Sequence, residues 1–234
     1  MAFEIKDKYN VSDLVELVAL LRGEGGCPWD REQTHESIRR NFLEEAYEVA
    51  EAIDEKDPEH LKEELGDVLL QVVFHAGIET DAGNFTIDDA ADEECRKMIF
   101  RHPHIFADAT LGTSGEVLEM WDDVKKKEKH FTTKTDELRA VARSLPGTWR
   151  AEKLQKKAAK AGFPVGDTAD ALLKIKEAAK ELENGGDAEK ALKTLLFEAV
   201  NAARLSGLDP EEALTDACDE FLDKFASAER SGKI

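Results

Sequence analysis

The residues best suited to chemistry lie between Asn41 and Ile78, where acidic side chains recur at helical spacing and lead into an apolar run. Glu44, Glu45 and Glu48 share a predicted helix, and at about 100° per residue they fall within an arc of roughly 100°. Glu51 and Glu55 continue the stripe. Like charges three or four residues apart repel by a few tenths of a kcal/mol (about 0.2–0.5) per pair, so such a stack calls for a counter-cation. A second predicted helix carries Glu63, Glu64 and Asp67, with Glu64 and Asp67 one turn apart. Carboxylates are hard oxygen ligands that suit Mg²⁺, with Mn²⁺ as a substitute, and magnesium held by few protein groups usually shares itself with substrate phosphates. The competing reading is a solvated acidic face, which is common in a chain with 51 Asp and Glu.

The elements that position these acids argue against the solvated face. Asp57-Pro58 supplies a capping side chain followed by the residue best suited to a first helical position, so the two helices are joined by a tight break. From Val68 to Ile78 the second helix is apolar on nearly every face, interrupted mainly by Gln71 and His75. A helix of that kind is buried from more than one side, in a bundle centre or at a subunit interface. Carboxylates running straight into it carry a heavy desolvation cost unless they are paired or bound to metal.

The order of these residues, Glu45-x-x-Glu48 and then Glu64-x-x-Asp67, resembles the signature of the MazG family of nucleoside triphosphate pyrophosphohydrolases. The resemblance extends to GCPWD at Gly26–Asp30, EELGDVLLQVVFHA at Glu63–Ala76, RHPHIFAD at Arg101–Asp108 and W-x-x-x-K-x-x-E at Trp121, Lys125 and Glu128. A last familiar stretch runs from Arg143 to Pro164. The resemblance implies Mg²⁺-dependent hydrolysis of NTP or dNTP to monophosphate and pyrophosphate, in nucleotide-pool house-cleaning. It also implies a four-helix-bundle catalytic unit completed by dimerisation across a two-fold axis. On that pattern Glu45, Glu48, Glu64 and Asp67 hold the metal, and Glu44 or Glu63 orients the attacking water or acts as general base. Lys97, Arg101 and Lys125 meet phosphate, and Trp121 stacks on the base. Lys97 and Arg101 are four residues apart on one helix face, while Trp121, Lys125 and Glu128 follow i, i+4, i+7 spacing.

The remaining elements are read from caps and periodicity. Ser12 is a candidate cap for a first helix ending at Gly23, Thr86 for a helix running to about Arg101, and Ser114 for the helix of Trp121. On the Thr86 helix, Ile87, Ala90, Ala91, Cys95, Met98 and Ile99 are candidate packing positions. Trp29 is either a base-stacking platform or, the favoured reading, a plug on the bundle end. His102-Pro103-His104 reads as a rigid extended loop used in packing, with no Cys or third clustered His to support zinc.

Every periodic segment is helical, so the fold class is all-α. The expected domains are 1–142, with the acids, and 143–234, after a weakly patterned stretch and a Pro146-Gly147 break. The second domain reads as a degenerate repeat: its register places Ile175, Ala178, Ala191 and Thr194 where Glu45, Glu48, Glu64 and Asp67 stand in the first. It keeps the apolar pattern and loses the ligands, which suggests packing, dimerisation or regulation.

A net charge of -19 disfavours non-specific contact with nucleic acid or anionic membrane. No apolar run approaches the roughly 18–20 residues of a membrane span, and the N-terminus lacks a signal-peptide core. Cys27, Cys95 and Cys218 are odd in number and widely spaced, as expected of reduced thiols in a cytoplasmic protein. Two alternatives stand beside the pyrophosphohydrolase reading. One is the phosphoribosyl-ATP pyrophosphohydrolase of histidine synthesis, which is shorter and lacks the W-x-x-x-K helix. The other is a non-catalytic nucleotide-sensing or partner-binding dimer.

Overall fold

A computed structural model describes residues 3–106, 113, 120, 121, 124 and 131–232, and every regular element among them is helical. Ser114, Lys125 and Glu128 lie outside the described residues. Contacts divide the chain into two compact units, Met1–Val117 and Leu118–Ile234. The division falls earlier than the expected domain boundary, so 118–142 groups with the second unit. One reason lies in the described residues: the short helix Lys134–Arg139 packs on the helix beginning at Gly147.

The first unit contains α1 (Val11–Arg22), α2 (Pro28–Glu32), α3 (His35–Glu55), α4 (Pro58–Asp81), α5 (Ile87–Arg101) and α6 (Pro103–Phe106). Its core is Val18 from α1, Ile38 from α3, and Val73 and Phe74 from α4, with Leu14, Val15, Leu69, Leu70 and Ile78 packed around them. The buried face of α4 thus lies against α1 and α3. Leu65 and Val72 on the same helix are exposed, so among the described residues the side of α4 that carries them is left open.

Helix α1 is capped two residues before the expected Ser12. Asn10 is the cap, accepting from Asp13 N while Asp13 accepts in return from Asn10 N, and Lys6 Nζ closes on Asp13 Oδ1 at 2.7 Å. Between α1 and α2 the turn is held by backbone and arginine rather than by Trp29. Cys27 N donates to Leu21 O at 2.8 Å and Arg22 Nη1 to Asp30 O at 2.9 Å, while Trp29 remains 60% exposed. The plug reading of Trp29 is therefore corrected.

Thr86 caps α5 through a reciprocal pair with Asp89, as its sequence suggests. Of the six packing positions expected on α5, only Ile87 and Met98 are even half-buried, because α4 is its main partner and covers little of it. His102-Pro103-His104 is not extended either: Pro103 opens the α6 turn, where its missing N–H costs nothing, and His102 Nδ1 lies 2.6 Å from Met98 O.

The second unit contains α7 (Lys134–Arg139), α8 (Gly147–Lys160), α9 (Thr168–Glu183), α10 (Ala188–Leu205) and α11 (Pro210–Arg230). Its packing order repeats that of the first unit. The α9–α10 pair is the dominant contact as α3–α4 is, and α8 packs on α10 as α1 packs on α4. Among the described residues, no helix is long and apolar enough to cross a membrane.

Candidate functional site

The turn between α3 and α4 decides where the acids meet. Lys56 ends α3 in the left-handed conformation at φ 57°, and Asp57 Oδ1 then accepts from Glu59 N at 2.9 Å and His60 N at 3.3 Å. Pro58 takes the first helical position, so α4 turns back along α3 within three residues. At the other end of the pair, His35 Nδ1 and His75 Nδ1 lie 2.7 Å apart, and His35 Nε2 meets Glu79 Oε1 at 2.5 Å. Burial, and then the charge of His35, pull His75 below its ordinary value. The hairpin is pinned at both ends, which fixes the register of one acidic face against the other.

In that register, oxygens of Glu45, Glu48 and Glu64 all lie within 4.8 Å of one another. Glu64 is only 8% exposed. Burial, then hydrogen bonding to Glu48, then the charges of Asp67, Glu48 and Glu64 push the Glu45 carboxyl above its ordinary value. The Glu64 carboxyl is also raised, by burial and by Glu48, with Asp67 and Glu63 adding to it and His60 opposing. Asp67, half-buried one turn on, stands outside the close triad but contributes its field to both acids. The donor set fits a hard divalent cation: three converging carboxylates whose shared charge is unfavourable without one.

The other expected site residues are placed less decisively. Glu44 is exposed and bound by Arg40 Nε at 2.7 Å, and Glu63 is exposed beside Glu64. Lys97 pairs with Glu94 on its own helix, and Arg101 is half-buried at the end of α5. Trp121 falls within the second unit by contact. A contributor not foreseen is His60, whose Nε2 lies 3.2 Å from Glu64 Oε1 and whose Nδ1 lies 2.8 Å from Glu55 Oε2. The carboxylate of Glu55 holds the His60 imidazole above its ordinary value. Its signal in the sequence was the i, i+4 spacing from His60 to Glu64.

Residues 33–106, which include all of α3 and α4, match the MazG nucleotide pyrophosphohydrolase domain. Over 220 residues the chain is 41% identical to the nucleoside triphosphate pyrophosphohydrolase/pyrophosphatase MazG of Thermotoga maritima, covering 93% of this chain and 84% of that protein. The chain belongs to the MazG family. It is 37% identical to the nucleoside triphosphate pyrophosphohydrolase of Escherichia coli over 229 residues, 94% of this chain and 87% of that protein. The MazG likeness therefore runs through both units. It also matches the uncharacterized protein YabN of Bacillus subtilis, at 44% identity over 232 residues, but spans 47% of that longer protein. As a MazG pyrophosphohydrolase the chain is a hydrolase, and the triad of acids lies inside the matched segment.

Proposed function

We propose that this chain hydrolyses nucleoside triphosphates, ribo or deoxy, to monophosphate and pyrophosphate, with Mg²⁺ held by Glu45, Glu48, Glu64 and Asp67. Mn²⁺ is the expected substitute. The observation that carries this reading is the convergence of Glu45, Glu48 and Glu64 from two antiparallel helices, with Glu64 buried. Such a cation would neutralise phosphate oxygens and make nearby water more acidic.

The protein's own groups would perform the remaining work. Glu44 or Glu63 accepts the proton of the attacking water, which adds to the α-phosphorus as the α–β bridging oxygen leaves with pyrophosphate. Lys97, Arg101 and Lys125 oppose the charge of the phosphate chain, and Trp121 stacks on the base. His60, bonded to Glu55 and Glu64, fixes the Glu64 carboxylate and acts as a positioning residue. A dimer that covers Leu65 and Val72 would give α4 its second buried side, in keeping with a bundle completed across a two-fold axis. Removal of non-productive nucleotides from the pool in the cytoplasm is the role that suits this chemistry.

Product analysis tests the reaction. The protein is incubated with each common NTP and dNTP in the presence of Mg²⁺ or Mn²⁺, and the phosphate products are separated. Monophosphate and pyrophosphate in equal amounts are expected. Diphosphate and orthophosphate, or no turnover of any nucleotide by folded protein, would contradict the proposal, and the second outcome would favour a nucleotide-sensing dimer.

A further inference from the structure

The second unit encloses a cleft of about 580 Å³ bordered by α7, α8, α9, α10 and the loop after α8. That volume lies within the range of roughly 300–1,000 Å³ typical of small-molecule sites. Its walls are largely apolar, with Leu138, Leu154, Phe163, Pro164 and Phe197 among the lining residues. Yet three polar side chains on the same lining are almost wholly buried: Gln155 at 2%, Glu198 at 7% and Asn201 at 1% exposure. Polar groups at such positions cost stability unless they find partners.

Two of the three are satisfied within the unit. Asn201 Nδ2 donates to Val165 O at 2.9 Å and to Glu198 Oε2 at 3.3 Å, and Asn201 Oδ1 accepts from Arg204 Nη2 at 2.7 Å. Glu198 Oε1 accepts from Lys174 Nζ at 2.8 Å. Gln155 differs. One hydrogen of its Nε2 goes to Phe197 O at 2.8 Å, while its Oε1 is buried with no hydrogen-bond partner. A glutamine amide in this state offers an unused acceptor beside a second N–H donor.

The chemistry of the lining narrows the ligand. An amide that offers an acceptor and a donor side by side complements the N–H and ring-nitrogen edge of a nucleobase, and the pairing with adenine is the familiar instance. Phe163 and Phe197 supply aromatic faces for a planar ring. Both lysines on the lining are already engaged, Lys134 by Glu137 at 2.9 Å and Lys174 by Glu198. Lys174 and Glu198 neutralise each other, so the lining offers a phosphate no uncompensated cation. The acid positions of the first unit also have no counterpart here, since Ile175, Ala178, Ala191 and Thr194 stand at them in the repeat register. A neutral ligand is therefore favoured over a nucleotide.

We propose that the cleft of the second unit binds a neutral nucleobase or nucleoside, with the base between apolar walls and its N–H edge on Gln155. The site is separate from the acidic triad of the first unit and does not require hydrolysis there. It would give a unit stripped of its metal ligands a sensing role toward the nucleotide pool.

The test is isothermal titration of the intact protein, kept free of divalent metal by EDTA, with adenine, adenosine, guanosine, cytidine and uridine. Three variants accompany the wild type. Gln155→Leu removes the acceptor, Ala161→Trp fills the cleft from an exposed residue at the end of α8, and Glu64→Gln alters only the first unit. At least one probe should saturate one site per chain, bind at least tenfold more weakly to Gln155→Leu and not bind to Ala161→Trp. Its affinity for Glu64→Gln should equal that for wild type. Adenosine binding more tightly than adenine would show that the cleft also contacts the sugar, and equal affinity would limit recognition to the base. The proposal is overturned if none of the five binds, if binding survives in Ala161→Trp, or if it is lost in Glu64→Gln. Should Gln155→Leu fail to fold, Ala161→Trp still decides. Because binding is read without turnover, a catalytically silent first unit leaves the result interpretable.

Discussion

At the scale of single residues, charge repulsion is the most informative quantity. Spacing placed Glu44, Glu45 and Glu48 on one helix and Glu63, Glu64 and Asp67 on the next, because helical periodicity fixes which carboxylates share a face, and the family resemblance singled out Glu45, Glu48, Glu64 and Asp67 among them. Which oxygens meet was not legible: Asp67 falls outside the close triad, and His60 enters it through Glu64, details that depend on how α3 and α4 are rotated against each other. The raised carboxyls of Glu45 and Glu64 set a sign for pH dependence. A folded value above the ordinary 4.5 means that these acids favour folding when protonated, and that this contribution is lost as pH rises through their raised values. At neutral pH they oppose folding, and a divalent cation offsets that opposition. Mg²⁺ should accordingly raise the melting temperature at neutral pH, by the equivalent of about 2.7 kcal/mol at a hundredfold excess over Kd. The gain should vanish near about pH 4, where carboxyls protonate. Thermal melts with and without Mg²⁺ across this range check it, and a gain independent of pH would speak against the carboxylates as ligands.

At the scale of elements, caps were the most readable feature and exposure the least. Asp57-Pro58 and Thr86 behave as their residue types suggest. Ser12 did not, since Asn10 is equally suited to capping and only the return bond from Asp13, three residues on, decides between them. Trp29 and the apolar positions of α5 show the other limit: hydrophobic type says that burial is favourable, not that a partner element lies within the same unit. The Asp57 cap also matters to the site, because it starts α4 and so sets the height of Glu63 and Glu64 against Glu45. Asp57→Ala should cost about 1 kcal/mol in denaturant unfolding, and it should weaken divalent-cation affinity more than a substitution at an exposed position one turn into α4 such as Lys62. An unchanged cation affinity would show that the register is fixed from the His35–His75 end alone.

At the scale of the whole molecule, the two units share a packing order and differ in chemistry. Apolar periodicity in α9 and α10 is what suggests a repeat, while contacts divide the chain at 117/118 and the Pro146-Gly147 break begins α8, since such a break marks a helix start as readily as a domain edge. Ala178 and Ala191 are buried where the register places Glu48 and Glu64 in the first unit, so at those positions the second hairpin carries small side chains instead of carboxylates. Mg²⁺ should therefore slow amide exchange in α3 and α4 of the intact chain and leave α9 and α10 unchanged; comparable protection in both hairpins would show that the second unit retains a cation site. The central claim, that hydrolysis depends on the acidic triad, is met most directly by pyrophosphate release from Glu64→Gln beside wild type, both confirmed folded by circular dichroism. Loss of a ligand should reduce the rate by at least about 100-fold, beyond the effect of removing an outer partner. Turnover by Glu64→Gln at the wild-type rate, with the same nucleotides, would contradict the account.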